Sequence, residues 1–102
     1  MDKNSAYNIA FQYVSYLKQN NYDIVKALMF GSYAKGNFNK DSDIDLALIF
    51  KKLDDQFNTQ VKLFMLTTKY DTRIEPHPFD EKDFNLNNPL AYEIITHGIE
   101  IL

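Results

Sequence analysis

The chain has 102 residues, 45% of them hydrophobic and 25% charged, and its 11 Lys and Arg against 14 Asp and Glu give a formal net charge of −3. This length suffices for one hydrophobic core, so we expect a single domain over residues 1–102 and no second catalytic or specificity domain. The chain has no cysteine, which excludes disulfides, thiolate metal sites and cysteine nucleophiles. The acidic balance argues against general nucleic-acid binding.

The amino-terminal residues are polar where a signal peptide would be apolar. No later apolar run approaches the roughly 18 residues that a membrane-spanning helix requires. We therefore predict a protein that does not contact a membrane and that is located in the cytoplasm.

The first half of the chain predicts a helix, a strand, one helical turn and a second strand, over residues 4–19, 24–30, 32–35 and 44–50, respectively. Asn4 or Ser5 is expected to cap the first helix. Both strands are compact apolar runs, and the first of them ends in Gly31-Ser32. Gly36 ends the short helical turn, and the residues that follow it are polar and turn-forming.

The second half begins with a predicted helix that Asp54 or Asp55 caps and that reaches about Lys69. Helical spacing predicts that this helix packs over the sheet through one apolar face. The residues of that face are Phe57, Val61, Phe64, Met65 and Thr68.

A third strand is predicted over residues 72–75, stopped by Pro76 and Pro78 because proline supplies no amide donor to a sheet. A helix over residues 90–97 and a short strand over residues 99–102 follow. The order of elements predicts an α/β (α+β) fold, a single domain with a short mixed β-sheet flanked by helices.

Two acidic residues stand at the start of the second strand. Asp43 and Asp45 point to the same side of an extended chain, with Cα atoms about 6.6 Å apart, whereas Ile44 and Leu46 point to the other side. At about 6 Å and an effective dielectric constant near 20, two such carboxylates repel each other by about 3 kcal/mol. A divalent cation would relieve this repulsion, so the pair predicts a metal site.

The turn after the first strand suits a different ligand. Gly31 lets the backbone approach a ligand closely, and the amides that open the following helical turn can donate to phosphate oxygens. Ser32 adds a hydroxyl group. Lys35 could add a positive charge for the same phosphates, although a solvated surface lysine is an equal alternative. A phosphate site beside metal-binding carboxylates predicts a nucleotide bound with magnesium.

Two other motifs are excluded, and a third interpretation stays open. Gly31 and Gly36 have the spacing of a P-loop, but Asn37-Phe38 stands where Lys and Ser or Thr are needed. An EF-hand is excluded because its sixth and twelfth positions would be Leu46 and Lys52. An acidic turn that only precedes a strand remains an alternative to the metal site.

Together, Gly31-Ser32, ten intervening residues and Asp43-Ile44-Asp45 resemble the Gly-Ser-x10-Asp-x-Asp signature of the nucleotidyltransferase superfamily that includes DNA polymerase β. The chain is most similar to the minimal nucleotidyltransferases (MNT proteins), in particular to the MntA-like antitoxins. The resemblance extends over nearly the whole predicted order of elements. It implies a nucleotidyltransferase fold and the transfer of a nucleoside monophosphate, AMP from ATP, to a hydroxyl group.

The resemblance also implies that two Mg²⁺ ions are bound by Asp43, Asp45 and a third acid on a later strand. The third acid is predicted to be Glu75, because it ends the third strand in the family-like run Ile-Glu-Pro-His; Asp71 is the alternative. Arg73 could pair with a carboxylate or meet a phosphate. His77, between two prolines and beside Glu75, could approach the site, but a turn histidine without a special role is the favoured interpretation.

In the MNT family the usual partner is a helical toxin of the HEPN class, and the MNT protein transfers AMP to a tyrosine of that toxin. The main hypothesis is therefore an adenylyltransferase that acts on a HEPN-type partner. A second hypothesis is an inactive antitoxin or scaffold that acts by stoichiometric binding. A third, weaker hypothesis is adenylylation of a small molecule such as an antibiotic. A homo-oligomer is possible on the sequence evidence.

Overall fold

The alternation of helices and strands that the sequence predicts is present in the computed structural model, which describes residues 1–102. The elements are α1 (Lys3–Gln19), β1 (Ile24–Phe30), α2 (Ser32–Lys35), β2 (Ile44–Phe50), α3 (Gln56–Leu66), β3 (Ile74–Asp80), α4 (Pro89–His97) and β4 (Ile99–Glu100). Short 3-10 turns follow α3 and β3. None of the helices combines the length and the apolar character that crossing a membrane would need.

The four strands form one mixed sheet in the order β3-β2-β1-β4. The antiparallel pairs are β1 with β2 and β1 with β4, whereas β2 and β3 run parallel and are joined through α3. The predicted fold class, one small domain with a short mixed sheet flanked by helices, is therefore confirmed.

The sheet separates two apolar clusters of different size. Sixteen buried residues form the main core between α1 and one face of the sheet, and Tyr13, Leu17 and Leu46 are among those that are fully buried. On the other face, α4 covers a smaller cluster formed by Leu28, Ala47, Ile49 and Ile94. Side chains alternate along β2, so Asp45 lies on the same face as Ala47, at the edge of this smaller cluster.

The cap of α1 differs from the prediction. The N-cap is Asp2 rather than Asn4 or Ser5, and its carboxylate accepts a hydrogen bond from the Ser5 amide at 2.8 Å. Helix α1 therefore begins at Lys3. An aspartate at this position satisfies one of the free amides of the first turn as well as serine or asparagine would.

The predicted inner face of α3 is wrong. All five predicted residues are exposed, and Phe57 and Met65 retain 75% and 68% of their surface. The side of α3 that faces the sheet instead carries Gln56, Gln60, Leu63 and Thr67, of which Leu63 and Thr67 are buried. This side of the helix has a largely polar sequence, so the apolar pattern identifies the helix but not its orientation.

Strand β3 continues through both prolines to Asp80 instead of ending at residue 75. Strand β3 is at the edge of the sheet, where a missing amide is tolerated at positions that face away from the neighbouring strand. The outward carbonyl groups of Pro76 and Pro78 accept hydrogen bonds from the side-chain amides of Gln60 and Gln56, at 3.4 and 3.3 Å. Helix α3 thus places its glutamines beside carbonyl acceptors at the sheet edge and buries Leu63.

Candidate active site

The parallel pairing of β2 and β3 places two of the predicted carboxylates side by side. Asp45 is the register partner of Glu75, and both side chains lie on the face of the sheet that α4 covers. Ligand atoms of Asp45, Glu75 and His77 all lie within 4.8 Å of one another. The structure therefore brings Asp45 and Glu75 into one cluster.

The Gly31-Ser32 turn touches this cluster through Gly31. Phe30, the last residue of β1, pairs with Asp45 across the sheet, and Gly31 follows with a φ of 75°. A Cβ atom built on Gly31 would lie 2.3 Å from the Asp45 carboxylate oxygen Oδ2. Glycine is needed here both for its backbone conformation and for the space that the carboxylate occupies.

Asp43 precedes β2, is exposed, and is not one of the three residues whose ligand atoms lie within 4.8 Å of one another. The pKa of Glu75 is raised above its ordinary value, first by partial burial and next by the charge of Asp45. His77 opposes this rise, whereas the charge of Asp43 adds to it. The charges of both aspartates therefore act on the Glu75 carboxyl group.

The remaining predicted phosphate contacts differ in their surroundings. Ser32 opens α2 directly after Gly31 and is half-buried. Lys35 ends the same helix, and its ammonium group lies 3.0 Å from the carboxylate of Glu93 on α4. Both side chains of this ion pair are about half exposed, at 50% and 42%, so the pair is open to exchange with another anion.

Asp71, the alternative third acid, lies in the turn before β3 and has a partner of its own. Its carboxylate accepts two hydrogen bonds from the guanidinium group of Arg73, at 2.9 and 2.6 Å. It also accepts one from the Arg73 backbone amide at 2.9 Å. These contacts with Arg73 hold the pKa of Asp71 below its ordinary value. The geometry favours Glu75 over Asp71 as the third acid.

His77 belongs to this cluster, although the sequence interpretation favours a turn residue without a special role. It is the second residue after Glu75 on a continuous strand rather than a turn residue, so its imidazole lies on the same face as Asp45 and Glu75. Its Nε2 atom is 3.5 Å from Asp45 Oδ1 and 3.8 Å from Glu75 Oε1. The alternation of Ile74, Pro76 and Pro78 with the polar residues between them was the signal that could have extended the strand to include it.

This donor set fits a divalent cation. Two carboxylates within 4.8 Å repel each other by about 3 kcal/mol at an effective dielectric constant of 20. Carboxylate oxygens are the ligands that Mg²⁺ and Mn²⁺ prefer in proteins. The Nε2 atom of His77 is buried beside them without a hydrogen-bond partner. The cluster therefore has a free nitrogen that could act as a metal ligand.

Comparison with known proteins gives a family and several related folds. The profile of the family described as "Polymerase beta, Nucleotidyltransferase" matches residues 12–102. A Methanocaldococcus jannaschii protein described as a putative protein adenylyltransferase is 30% identical over 110 residues, a match that covers all of this chain and 74% of that protein.

Solved structures with the same fold include a nucleotidyltransferase from Sulfolobus solfataricus, described as putative, with a TM-score of 0.67, 16% identity, and coverage of 96% of this chain and 80% of the other. A toxin–antitoxin complex with AMP-PNP contains a chain with a TM-score of 0.69 and 22% identity, and the match covers 94% of this chain and 72% of the other. A complex of a tri-AMPylated Shewanella oneidensis HEPN toxin with an MNT antitoxin also contains a chain of the same fold, with a TM-score of 0.64 and 19% identity. The match covers 98% of this chain and 71% of the other.

Proposed function

Because the chain belongs to the polymerase β nucleotidyltransferase family, we propose that it transfers AMP from ATP to a hydroxyl group of a partner protein, and that this partner is a HEPN-type toxin. The observation that carries the proposal is the cluster of Asp45 and Glu75 beside the Gly31-Ser32 turn. Both halves of a nucleotide site, a carboxylate pair for metal and a turn for phosphate, meet at one end of β1, β2 and β3.

Asp43, Asp45 and Glu75 are the residues that would hold two Mg²⁺ ions. When bound, such ions neutralise the triphosphate and lower the pKa of the attacking hydroxyl group. In the transfer, the acceptor oxygen forms a bond to the α-phosphorus of ATP and its proton passes to water, while the bond between the α-phosphorus and the oxygen that bridges to the β-phosphorus breaks and pyrophosphate leaves with that oxygen. The three carboxylates set the position of this in-line displacement, and the protein contributes positioning rather than a covalent intermediate.

The α2 turn supplies the proposed phosphate contacts. Gly31 has no side chain, so the Asp45 carboxylate lies against the backbone of this turn, which keeps the proposed phosphate contacts next to the proposed metal position. The Ser32 hydroxyl group donates to a phosphate oxygen. Lys35 exchanges its partner Glu93 for the triphosphate, an exchange that the exposure of both side chains permits. Replacing Lys35 with alanine is therefore expected to raise the KM for ATP while kcat changes less.

The partner assignment rests on two supports. The first is the fold likeness to chains from toxin–antitoxin complexes, one of which contains a tri-AMPylated HEPN toxin. The second is the 30% identical relative, which is described as a protein adenylyltransferase. The acceptor hydroxyl would then be a tyrosine presented by the partner.

The test is intact-mass measurement of the HEPN-class partner after incubation with this chain, ATP and Mg²⁺. We expect the partner to gain one or more AMP units. Asp43→Asn is expected to abolish the gain, while Asp71→Asn, the matched control, retains it because Asp71 is paired with Arg73 outside the cluster. No gain with the wild-type chain would refute the proposal, and equal loss in both variants would refute the assignment of the acids.

A second candidate function is neutralisation by stoichiometric binding without transfer. The exposed apolar side chains of α3, among them Phe57 and Met65, favour it because such a surface is typical of protein contacts and does not depend on the acids. The same experiment separates the two functions: full neutralisation of the partner with no gain in its mass supports binding alone.

A further inference from the structure

The Nε2 atom of His77 is a buried ring nitrogen without a partner in the protein. Two carboxylates lie 3.5 and 3.8 Å away from it. A histidine that only paired with an acid would be drawn to a hydrogen-bond distance of about 2.7–3.2 Å. An unmade hydrogen bond at a buried polar atom is unfavourable. A bound ligand at Nε2 would remove this unfavourable contribution.

The distances match those between two ligands of one metal ion. With metal–ligand bonds of about 2.1 Å, two ligands of a tetrahedral ion lie about 3.4 Å apart, and those of an octahedral ion lie about 3.0 Å apart when adjacent and about 4.2 Å apart when opposite. The His77 Nε2 to Asp45 Oδ1 and Glu75 Oε1 distances of 3.5 and 3.8 Å fall within this range. All three ligand atoms lie within 4.8 Å of one another, so a rotation of one carboxylate would let a single ion bind all three side chains.

The imidazole ring is held in this position by its neighbour. The ring of Phe30 packs edge-on against that of His77, with centroids 5.1 Å apart and an interplanar angle of 63°. His77 also lies on a continuous strand whose register with β2 fixes its backbone opposite Ala47. The ring is therefore oriented before any ion binds, as a metal ligand should be.

We propose that Nε2 of His77 is a metal ligand together with Asp45 and Glu75, so that this position binds Zn²⁺, Co²⁺ or Mn²⁺ more tightly than Mg²⁺. Imidazole nitrogen suits transition metals, whereas Mg²⁺ keeps oxygen ligands and water. The inference deepens the proposed function, on which it rests for the metal position, and it assigns to this chain a site of mixed oxygen and nitrogen donors.

The test is binding of the metal alone, with no nucleotide or partner present, by calorimetric titration of Zn²⁺ and Mg²⁺ into the wild-type chain and His77→Gln. We expect Zn²⁺ affinity to fall by at least 10-fold in the variant and Mg²⁺ affinity to change by less than about 3-fold. His97→Gln, at the end of α4, is the matched control and should bind both ions as the wild type does. An unchanged Zn²⁺ affinity, or equal losses for both ions, would overturn the proposal.

A second measurement does not depend on the folding of the variant. The chain has two histidines, so the imidazole nitrogens of the wild type can be assigned by NMR with the His97→Gln control. Zn²⁺ should move the His77 Nε2 resonance and leave that of Nδ1 as a protonated nitrogen; no change at His77 on saturation would refute the proposal. Because neither readout involves transfer, a failed AMP assay with intact Zn²⁺ binding would refute the proposed reaction alone.

Discussion

Gly31 is the position at which a single methyl group should disturb both the fold and the site. Its φ of 75° and ψ of −150° lie in a region that is essentially restricted to glycine, and alanine there costs about 2 kcal/mol. The added Cβ atom would lie 2.3 Å from Asp45 Oδ2 and 3.2 Å from its Cγ. Turning the carboxylate away from its rotamer costs about 1 kcal/mol more. The expected loss for Gly31→Ala is therefore about 3 kcal/mol in the free energy of unfolding.

Gly36 provides the comparison. Its φ of 84° and ψ of 7° are left-handed helical, and a Cβ atom at Gly36 would meet nothing within 4 Å. Gly36→Ala should cost only the backbone penalty, about 1 kcal/mol. Against a total stability of about 5–15 kcal/mol, both variants should remain folded. Urea unfolding of the metal-free proteins at 25 °C measures both losses.

A double-mutant cycle isolates the contact with the carboxylate. In the background of Asp45→Ala, the loss for Gly31→Ala should shrink by about 1 kcal/mol, while that for Gly36→Ala should not change. The Mg²⁺-dependent gain in stability should be lost in Gly31→Ala and kept in Gly36→Ala. The reasoning fails if the two glycine variants lose equal stability, or if the loss at Gly31 is independent of Asp45.

Three further predictions concern the core, the paired acid and α3. Tyr13 is buried, which raises its pKa, and its hydroxyl group donates to the Leu63 carbonyl at 2.6 Å; Tyr13→Phe should cost about 1 kcal/mol at pH 7. Because the pKa of Tyr13 is higher in the folded protein, its protonated hydroxyl group contributes fully to stability below the unfolded-state pKa near 10, and this contribution is lost as the pH rises further. The difference in the free energy of unfolding between the wild type and Tyr13→Phe should therefore shrink above pH 10 in urea titrations at several pH values. A constant difference would contradict this. Asp71→Asn should lower stability above the depressed pKa of Asp71, an effect that disappears as the pH falls through it, while calorimetry should show unchanged Mg²⁺ affinity; weaker Mg²⁺ binding would place Asp71 in the site. In thermal unfolding, Leu63→Ala should lower the free energy of unfolding by about 2–4 kcal/mol and Phe57→Ala by less than about 0.5 kcal/mol. A larger loss for Phe57→Ala would mean that the apolar side of α3 packs on the sheet after all.

The parts of the fold that the sequence predicts well are those that local patterns determine. The apolar runs of β1 and β2 and the helical spacing of α1 identify these elements within a residue or two at their ends. Asp43 and Asp45 are recognisable because side chains alternate on a strand whose position the apolar run defines. The apposition of Asp45 and Glu75 follows once β2 and β3 are taken as parallel neighbours.

The errors share a physical cause, which is that they depend on what lies across the sheet. Whether a proline ends a strand depends on which side its missing amide would face, and Pro76 and Pro78 face outward. The orientation of α3 depends on contacts outside its own segment, such as the burial of Leu63 and the hydrogen bond from Tyr13 to the Leu63 carbonyl. The interpretation of His77 as a turn residue has the same cause, because a strand that ends at residue 75 leaves it in a turn. None of these relations is contained in the period of a single segment.

The proline positions of β3 also limit how the protein can associate. A strand from another molecule adds to a sheet edge through free amides and carbonyls, and an exposed edge of this kind invites aggregation. Along the outer side of β3, Pro76 and Pro78 remove the donors, and glutamine side chains occupy the acceptors. The opposite edge is β4, which has two residues. The sheet is therefore poorly suited to growth by strand addition at either end, and contacts with other chains are left to its helices and side chains.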